Sequence, residues 1–550
     1  MLLPIVVTLA HQNNQQSSKS SIHSNFTRSS QYQSNMNSSI QRLLFMLHKC
    51  SDTMIIIGAG IAGLAAGCYA QMNGYKTQIF EMHDRPGGLC TAWQRQGFVF
   101  DGCIHYLFGS ARGQPFYQLW EELGIVPQQQ FVHHDELLRV SESDGKTLIV
   151  YSNPDRLEQH LKEISPIDRR LISDFCTGIR TFTRFDLSLL QQQPKALMQL
   201  GDWGKLARKM LPFICPLARW GNLSAAEFAE KFQDPFLRRA IPQMFGWESI
   251  PVMVGMSLLA YMHTKNAGFP LGGSLQFAEK IANRYLELGG KIHYESQVEK
   301  ILIEKHRAIG VRLYHNEEYY ADRVISACDG HNTLFSLLDR QYVPREIQRY
   351  YDGHLPIYSQ LQVSLGVNRD LSAAPHWTTH LLDQPVVIAG EERYEIGVKH
   401  YCFDPSLAPQ GKSVLMVVLT TNYEYWQRIY GRSIYDAEEI QESQILIDLL
   451  ERFYPGIKDD IEFVDVATPI TYERYTGNWQ GSSCGWLLTK QTLPLSIKGL
   501  PKILPKLRNF YAIGQWVEPG GSVPVVAMSG RNIIQQICRE DKRTFRATTP

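Results

Sequence analysis

The sequence predicts an α/β fold: a Rossmann-like nucleotide domain assembled from separate stretches of chain, with an α+β domain inserted into it. Three observations carry this. Near the start, TMIIIGAGIAGLAAGCYAQMNGYKTQIFE (53–81) reads as strand, glycine turn, helix and strand. Near the end, FYAIGQWVEPGG (510–521) repeats the strand and glycine turn and leads into a second helical stretch. Between them lie long blocks of mixed helical and strand-like patterning, which one parallel sheet does not account for.

The first element is a βαβ unit. Met54 to Ile57 are apolar on both faces, as a parallel strand covered by helices requires. Gly58, Gly60 and Gly63 then give GxGxxG: the first permits a tight turn, the second lets a pyrophosphate reach the backbone, and the third lets helix and sheet pack closely. Phosphates would sit at the positive end of that helix. Asn73-Gly74 closes the helix, Lys76 to Phe80 form the next strand, and Glu81 stands at its tip. That is about the 20-residue spacing at which a carboxylate accepts from a ribose hydroxyl. A lone GxGxxG is weak, but here strand, helix, second strand and acid all follow. After Glu81 the chain runs MHDRPGGLCTAW, placing Arg85 and a second glycine pair, Gly87-Gly88, where the pyrophosphate would lie.

Bulk properties narrow the function. The 550 residues are 44 % hydrophobic, enough for a large core. Lys plus Arg (55) balances Asp plus Glu (54), so no global field recruits nucleic acid. The ten cysteines are scattered without metal-ligand spacing, so no metal is expected; reduced thiols fit an intracellular protein. No apolar run reaches the roughly 20 residues of a membrane span, so membrane contact would be peripheral. Residues 1–51 form a Ser-, Asn- and Gln-rich tail expected to be disordered or a targeting segment. A transit peptide, a secretory signal and an extension upstream of Met46 or Met54 are the competing readings.

EMHDRPGGLCTAWQRQGFVFDGCIHYLFGS (81–110) resembles the amino-terminal region of the FAD-dependent carotenoid desaturases, carotenoid isomerases and retinol saturases, within the flavin amine oxidase superfamily. The segment from Asn266 to Leu313, which includes Val298, DPSLAPQGKSVL from Asp404, and FYAIGQWVEPGGSVPVVAMSG resemble later parts of the same family, in the same order. The resemblance implies FAD held by a discontinuous, GR2-type domain (52–135, 265–340 and 495–540), with 136–264 and 341–494 as substrate domain. It implies cofactor contacts at Gly58, Gly60, Gly63, Glu81, Arg85, Gly87, Gly88, Val298, Gly514, Gln515 and Val523. Two departures matter. Amine oxidases carry Arg directly after the paired glycines, where this chain has Leu89. Many flavoproteins carry Asp where this chain has Gln515, whose amide can still hydrogen-bond a hydroxyl.

The two glycine turns therefore read as halves of one site, the first for the adenosine end and pyrophosphate, the last for the flavin end. Pro524 suits the first turn of the terminal helix, whose dipole would face the flavin. The first inserted block reads as mostly helical and the second contains strands such as PIYSQLQVSLGV. Within the first, 194–220 interleaves Leu197, Met198, Leu200, Trp203, Leu206, Met210, Leu211, Phe213 and Ile214 with Lys195, Lys205, Arg208, Lys209 and Arg219, Asp202 being its only acid. Such a stretch suits either an anionic membrane surface or an ordinary lid with a solvated basic face. The implied substrate is an apolar polyene, with a quinone or another electron acceptor, in a cytoplasmic or plastid protein peripheral to a membrane. His105 is the candidate acid or base; the plainer reading is a histidine hydrogen-bonded to backbone. Trp516 reads as a substrate platform or a core aromatic, and Cys484 has no evident activating partner. An amine oxidase and a flavin-binding carrier without turnover are the alternatives.

Overall fold

The computed structural model describes residues 52–190, 194, 197–432 and 434–548. The tail expected over 1–51, and Lys195 of the basic stretch, lie outside the described residues.

A five-stranded sheet forms the base: β1 (Thr53–Ile57), β2 (Lys76–Phe80), β3 (Lys291–His293), β4 (Arg323–Ser326) and β5 (Phe510–Ala512). All pairs are parallel, in the order β3-β2-β1-β4-β5. Met54 to Ile57 are buried on both faces, which explains the unbroken apolar run. One face is covered by α1 (Ile61–Met72), α2 (Gly273–Glu287) and α3 (Val523–Glu540). Every residue of α1 except Gln71 is buried, as expected of a helix apolar all round. A Cβ on Gly530 of α3 would lie 2.5 Å from the Ala62 carbonyl oxygen, so only glycine allows the two helices to pack this closely. Glu122 ties the layer together, accepting from the Tyr69 hydroxyl at 2.6 Å and from Arg531 Nε at 2.9 Å. The opposite face carries the antiparallel strands Val298–Glu304, Arg307–Leu313 and Glu318–Tyr320.

The inserted chain builds a seven-stranded sheet in the order 461–467, 359–367, 413–421, 391–400, 377–388, 136–141 and 147–151. Its pairs are antiparallel except the parallel contact between 377–388 and 136–141. The block from 136 thus opens with a hairpin before its helices, and that hairpin extends a sheet whose other strands come from beyond residue 358. Helices between Pro154 and His263 pack into a core of their own around Phe175, Phe228 and Met256. The short strand Ala267–Pro270 pairs with both Leu107–Phe108 and Phe131–Val132, stitching the helical block to the base.

Gly530→Ala is expected to lower the unfolding free energy by about 1–3 kcal/mol, because the added methyl meets backbone that cannot yield. Gly204→Ala, on an exposed helix with open space around it, is expected to raise it by about 0.5–1 kcal/mol. Urea titration of the two variants checks both signs.

Candidate active site

Strands β1, β4 and β5 are neighbours, so the turns that follow them meet at one edge of the sheet. A Cβ on Gly58 would lie 3.4 Å from the Ala327 backbone, and one on Gly514 3.4 Å from the Ala62 methyl: both turns close on the same point. They bound a cleft of about 200 Å³. Gly58, Gly60, Glu81, Arg85, Gly87, Gly88, Val298, Gly514, Gln515 and Val523 all line it. Gly63 does not; a Cβ there would lie 2.0 Å from the Gly58 carbonyl oxygen, so it serves the packing of helix on turn. His105 lies in the chamber described below.

The cleft is built to accept an extended anion-bearing ligand. Helices α1 and α3 begin there with no side-chain cap, leaving first-turn N–H groups without intrahelical partners and the positive ends of both dipoles facing in. Gly87 N–H donates to the Ala59 carbonyl at 2.9 Å, which brings the second glycine pair beside the first turn. A Cβ on Gly60 would find only the Gly87 carbonyl, at 3.8 Å, so the space above this backbone is open. Glu81 is buried; its carboxylate accepts from Ala59 N–H at 2.6 Å and His83 N–H at 2.9 Å. Burial raises its pKa, opposed by those two N–H bonds. The Arg85 guanidinium pairs with Asp84 at 2.8 Å at the rim.

At the far end, Gln515 Nε2 donates to Asn478 Oδ1 at 2.8 Å, and Trp516 Nε1 donates to the same oxygen at 3.0 Å. Trp516 borders the cleft but is buried and stacks near Tyr351, so it is a core aromatic. Asp329 accepts from Asn332 and Trp479 N–H groups, and burial lifts its carboxyl to about 7.

A chamber adjoins the cleft. The loop after Asp101 runs from one to the other, with Cys103 on the cleft and His105 and Tyr106 on the chamber. Tyr106 keeps 39 % of its surface accessible. Yet desolvation pushes its phenol up, and burial, then Lys399, holds the His105 imidazole well below its usual range. Surface that is accessible but deep in the protein faces an internal space. Leu137, Met262, Phe269, Trp377, Lys399 and Tyr401 also line it, with His134, His376 and His400, around a narrow space of about 30 Å³. Among the described residues the His105 ring makes no hydrogen bond and lies 6.3 Å from the Trp377 ring, so the backbone-bonded reading is not what the geometry gives. Burial pushes the Cys484 thiol up to about 12, leaving it unreactive.

A family model described as flavin containing amine oxidoreductase matches residues 61–537. The chain belongs to that family. Prolycopene isomerase 1 of an Oncidium hybrid cultivar is 26 % identical over 86 % of this chain and 82 % of its own length. All-trans-retinol 13,14-reductase of Danio rerio is 24 % identical, covering 84 % and 82 %. The lycopene-forming phytoene desaturase of Pseudescherichia vulneris is 24 % identical, covering 87 % and 97 %. Among solved structures, an oxidoreductase from Methanosarcina mazei shares the fold at a TM-score of 0.56 and 18 % identity, covering 88 % of this chain and all of its own. Cyclohexylamine oxidase from Brevibacterium oxydans does so at 0.56 and 12 %, covering 90 % of this chain and 100 % of its own.

This flavoenzyme is an FAD-dependent oxidoreductase. The donor set fits the cofactor: two helix amino termini, glycine backbone left open at Gly60, a buried carboxylate at Glu81 and the amides of Gln515 and Asn478. Asn478, Asp329 and the chamber residues other than His105 escaped sequence reading because nothing local marks them; long-range packing alone brings them here. Gly60→Leu is expected to leave the apoprotein's stability within about 1 kcal/mol. It should weaken FAD binding by about a hundredfold or more, because its side chain fills the ligand's space. Fluorescence titration of apoprotein with FAD, beside a thermal melt, separates the two effects.

Proposed function

We propose that this enzyme acts on a long apolar polyene, changing the number or geometry of its double bonds. The observation that carries the reading is the chamber's lining: Tyr106, Leu137, Met262, Phe269, Trp377, Tyr401 and Phe403 gather apolar and aromatic surface beside the cleft, which suits contact with a conjugated chain better than with a small polar amine. We take the parallel-sheet segments, 52–135, 265–340 and 495–540, as the FAD domain, and 136–264 with 341–494 as the substrate domain. Relatives named as an isomerase, a reductase and a desaturase of polyenes support it, and Leu89 in place of an arginine speaks against amine oxidation.

FAD bound in the cleft supplies a two-electron acceptor and donor. The protein's share is positional. Helix α3, with Val523 and Val526 on the cleft, directs its positive end at the region where reduction would place negative charge. Trp516, Tyr351 and Trp486 form a rigid aromatic wall behind Gln515. Tyr106, Met262 and Phe269 exclude water from the chamber and hold a conjugated chain by contact.

The substrate would come from a membrane. No helix of the described residues is long and apolar enough to cross one. The stretch around 200–214 instead exposes Leu200 (92 %), Trp203 (46 %), Leu211 (67 %) and Ile214 (53 %), with Lys205, Arg208 and Lys209 also exposed. Phe213 and Trp220 are buried beneath and anchor it. An apolar patch ringed by cations suits an anionic bilayer.

Two outcomes are expected. FAD-loaded protein supplied with a linear carotene in liposomes, with a quinone as acceptor, should change the polyene's absorption spectrum and yield no peroxide from amines. Peroxide release from amines with an unchanged polyene would reverse the reading. Leu200→Glu combined with Trp203→Glu should abolish co-flotation with anionic vesicles while leaving the melting temperature within a few degrees, since both side chains are exposed.

A further inference from the structure

We propose that the chamber receives a polyene ending in a carboxylate, and that Lys399 is the residue that takes this end group; the proposal rests on the polyene reading above. Strand Glu391–His400 carries Lys399 into the chamber lining with His105, Tyr106 and Trp377. Its ammonium sits 3.7 Å from the centroid of the ring of Trp377, its cross-strand partner. Among the described residues Lys399 has no carboxylate in ion-pair range and donates no hydrogen bond. The acid whose field reaches it, Asp101, is already engaged, accepting from Cys103 N–H at 3.0 Å, Ser274 N–H at 2.6 Å and the Ser274 hydroxyl at 2.7 Å.

A lysine held this way is anomalous. Behind the wall the buried polar groups are paired, Tyr472 donating to Gln362 and Gln362 to Ser364, whereas on the wall itself the Tyr401 hydroxyl and His134 Nε2 also lack a hydrogen-bond partner among the described residues. The ammonium faces the chamber with no counter-charge in ion-pair range, and burial lowers its pKa to about 7, so a bound anion would favour its charged form. The Trp377 face offsets part of that loss, about 0.5–2 kcal/mol by the usual range for cation–π contacts. A carboxylate would supply the missing charge and accept from up to three N–H groups. A pure hydrocarbon would leave the ammonium unmatched, and a methionine would serve such a substrate better. Lys399 does not line the cleft, so it binds and orients rather than reacts. Anchoring one end of the polyene there fixes, by chain length alone, which double bond reaches the cleft.

The test uses the FAD-loaded full chain and three probes of equal length: a linear polyene acid, its methyl ester and the matching hydrocarbon, followed by quenching of tryptophan fluorescence. Wild type should bind the acid at least about tenfold more tightly than the ester or hydrocarbon, as for a charged hydrogen bond. Lys399→Met should erase that preference and hold the hydrocarbon within twofold; Lys399→Arg should keep part of it. Equal binding of acid, ester and hydrocarbon by wild type overturns the proposal while leaving the polyene reading intact. So does an acid preference that survives Lys399→Met. Should that variant fail to retain FAD, the wild-type comparison of acid and ester decides. Wild type binding none of the three would defeat the polyene reading itself, and this proposal with it.

Discussion

The structure depends on the close packing of the terminal helix against the first one. Gly530 lets α3 approach the Ala62 backbone, and β5 pairs with β4 beside β1, so chain ends separated by the whole insert share one edge of a sheet. Everything at the cleft follows from that adjacency. The two helix amino termini converge, the glycine turns touch, and Gly87 is drawn in through its bond to Ala59. An FAD spanning the cleft would meet both turns at once. The two-fold use of one local pattern is a consequence of ligand length.

The insert solves a different problem, that of bringing an apolar and aromatic wall against the cleft. A seven-stranded sheet roofs the site, with Ser359–Val367 buried along its whole length. The helical block behind it has its own aromatic core, so the chamber wall is held from outside rather than by filling. Cavities in close-packed interiors are unfavourable unless function requires them. His105, Tyr106 and Lys399 are polar members of that wall, beside His134, His376, His400 and Tyr401. Their perturbed protonation reflects desolvation and mutual proximity, and it distinguishes this wall from the satisfied network around Asp101.

What the sequence revealed and what it hid follows from the range of the interactions concerned. The strand, GxGxxG, helix, strand and Glu81 unit is local: each residue's reason lies within a few neighbours, and the structure places β1, α1 and β2 where the pattern puts them. The closing turn at Gly514 was legible for the same reason. The hairpin at 136–151 lay in a block dominated by helical patterning, and its sheet partners come from residues beyond 376, which no local period reports. Asn478 gave no signal, because its role arises only when Gln515 and Trp516 pack against it. Nothing local in the sequence marks Lys399; only its place on the chamber with no carboxylate in ion-pair range among the described residues sets it apart. His105 stood out through the motif around it, yet the fold sets it in the chamber instead of on the cleft.

The central claim is that the two glycine turns, at opposite ends of the chain, form a single FAD site. The visible absorption spectrum of the purified protein, with mass analysis of what denaturation releases, tests it most directly. The account predicts flavin absorption bands and one FAD released per chain. A colourless protein that also takes up no added FAD would contradict it.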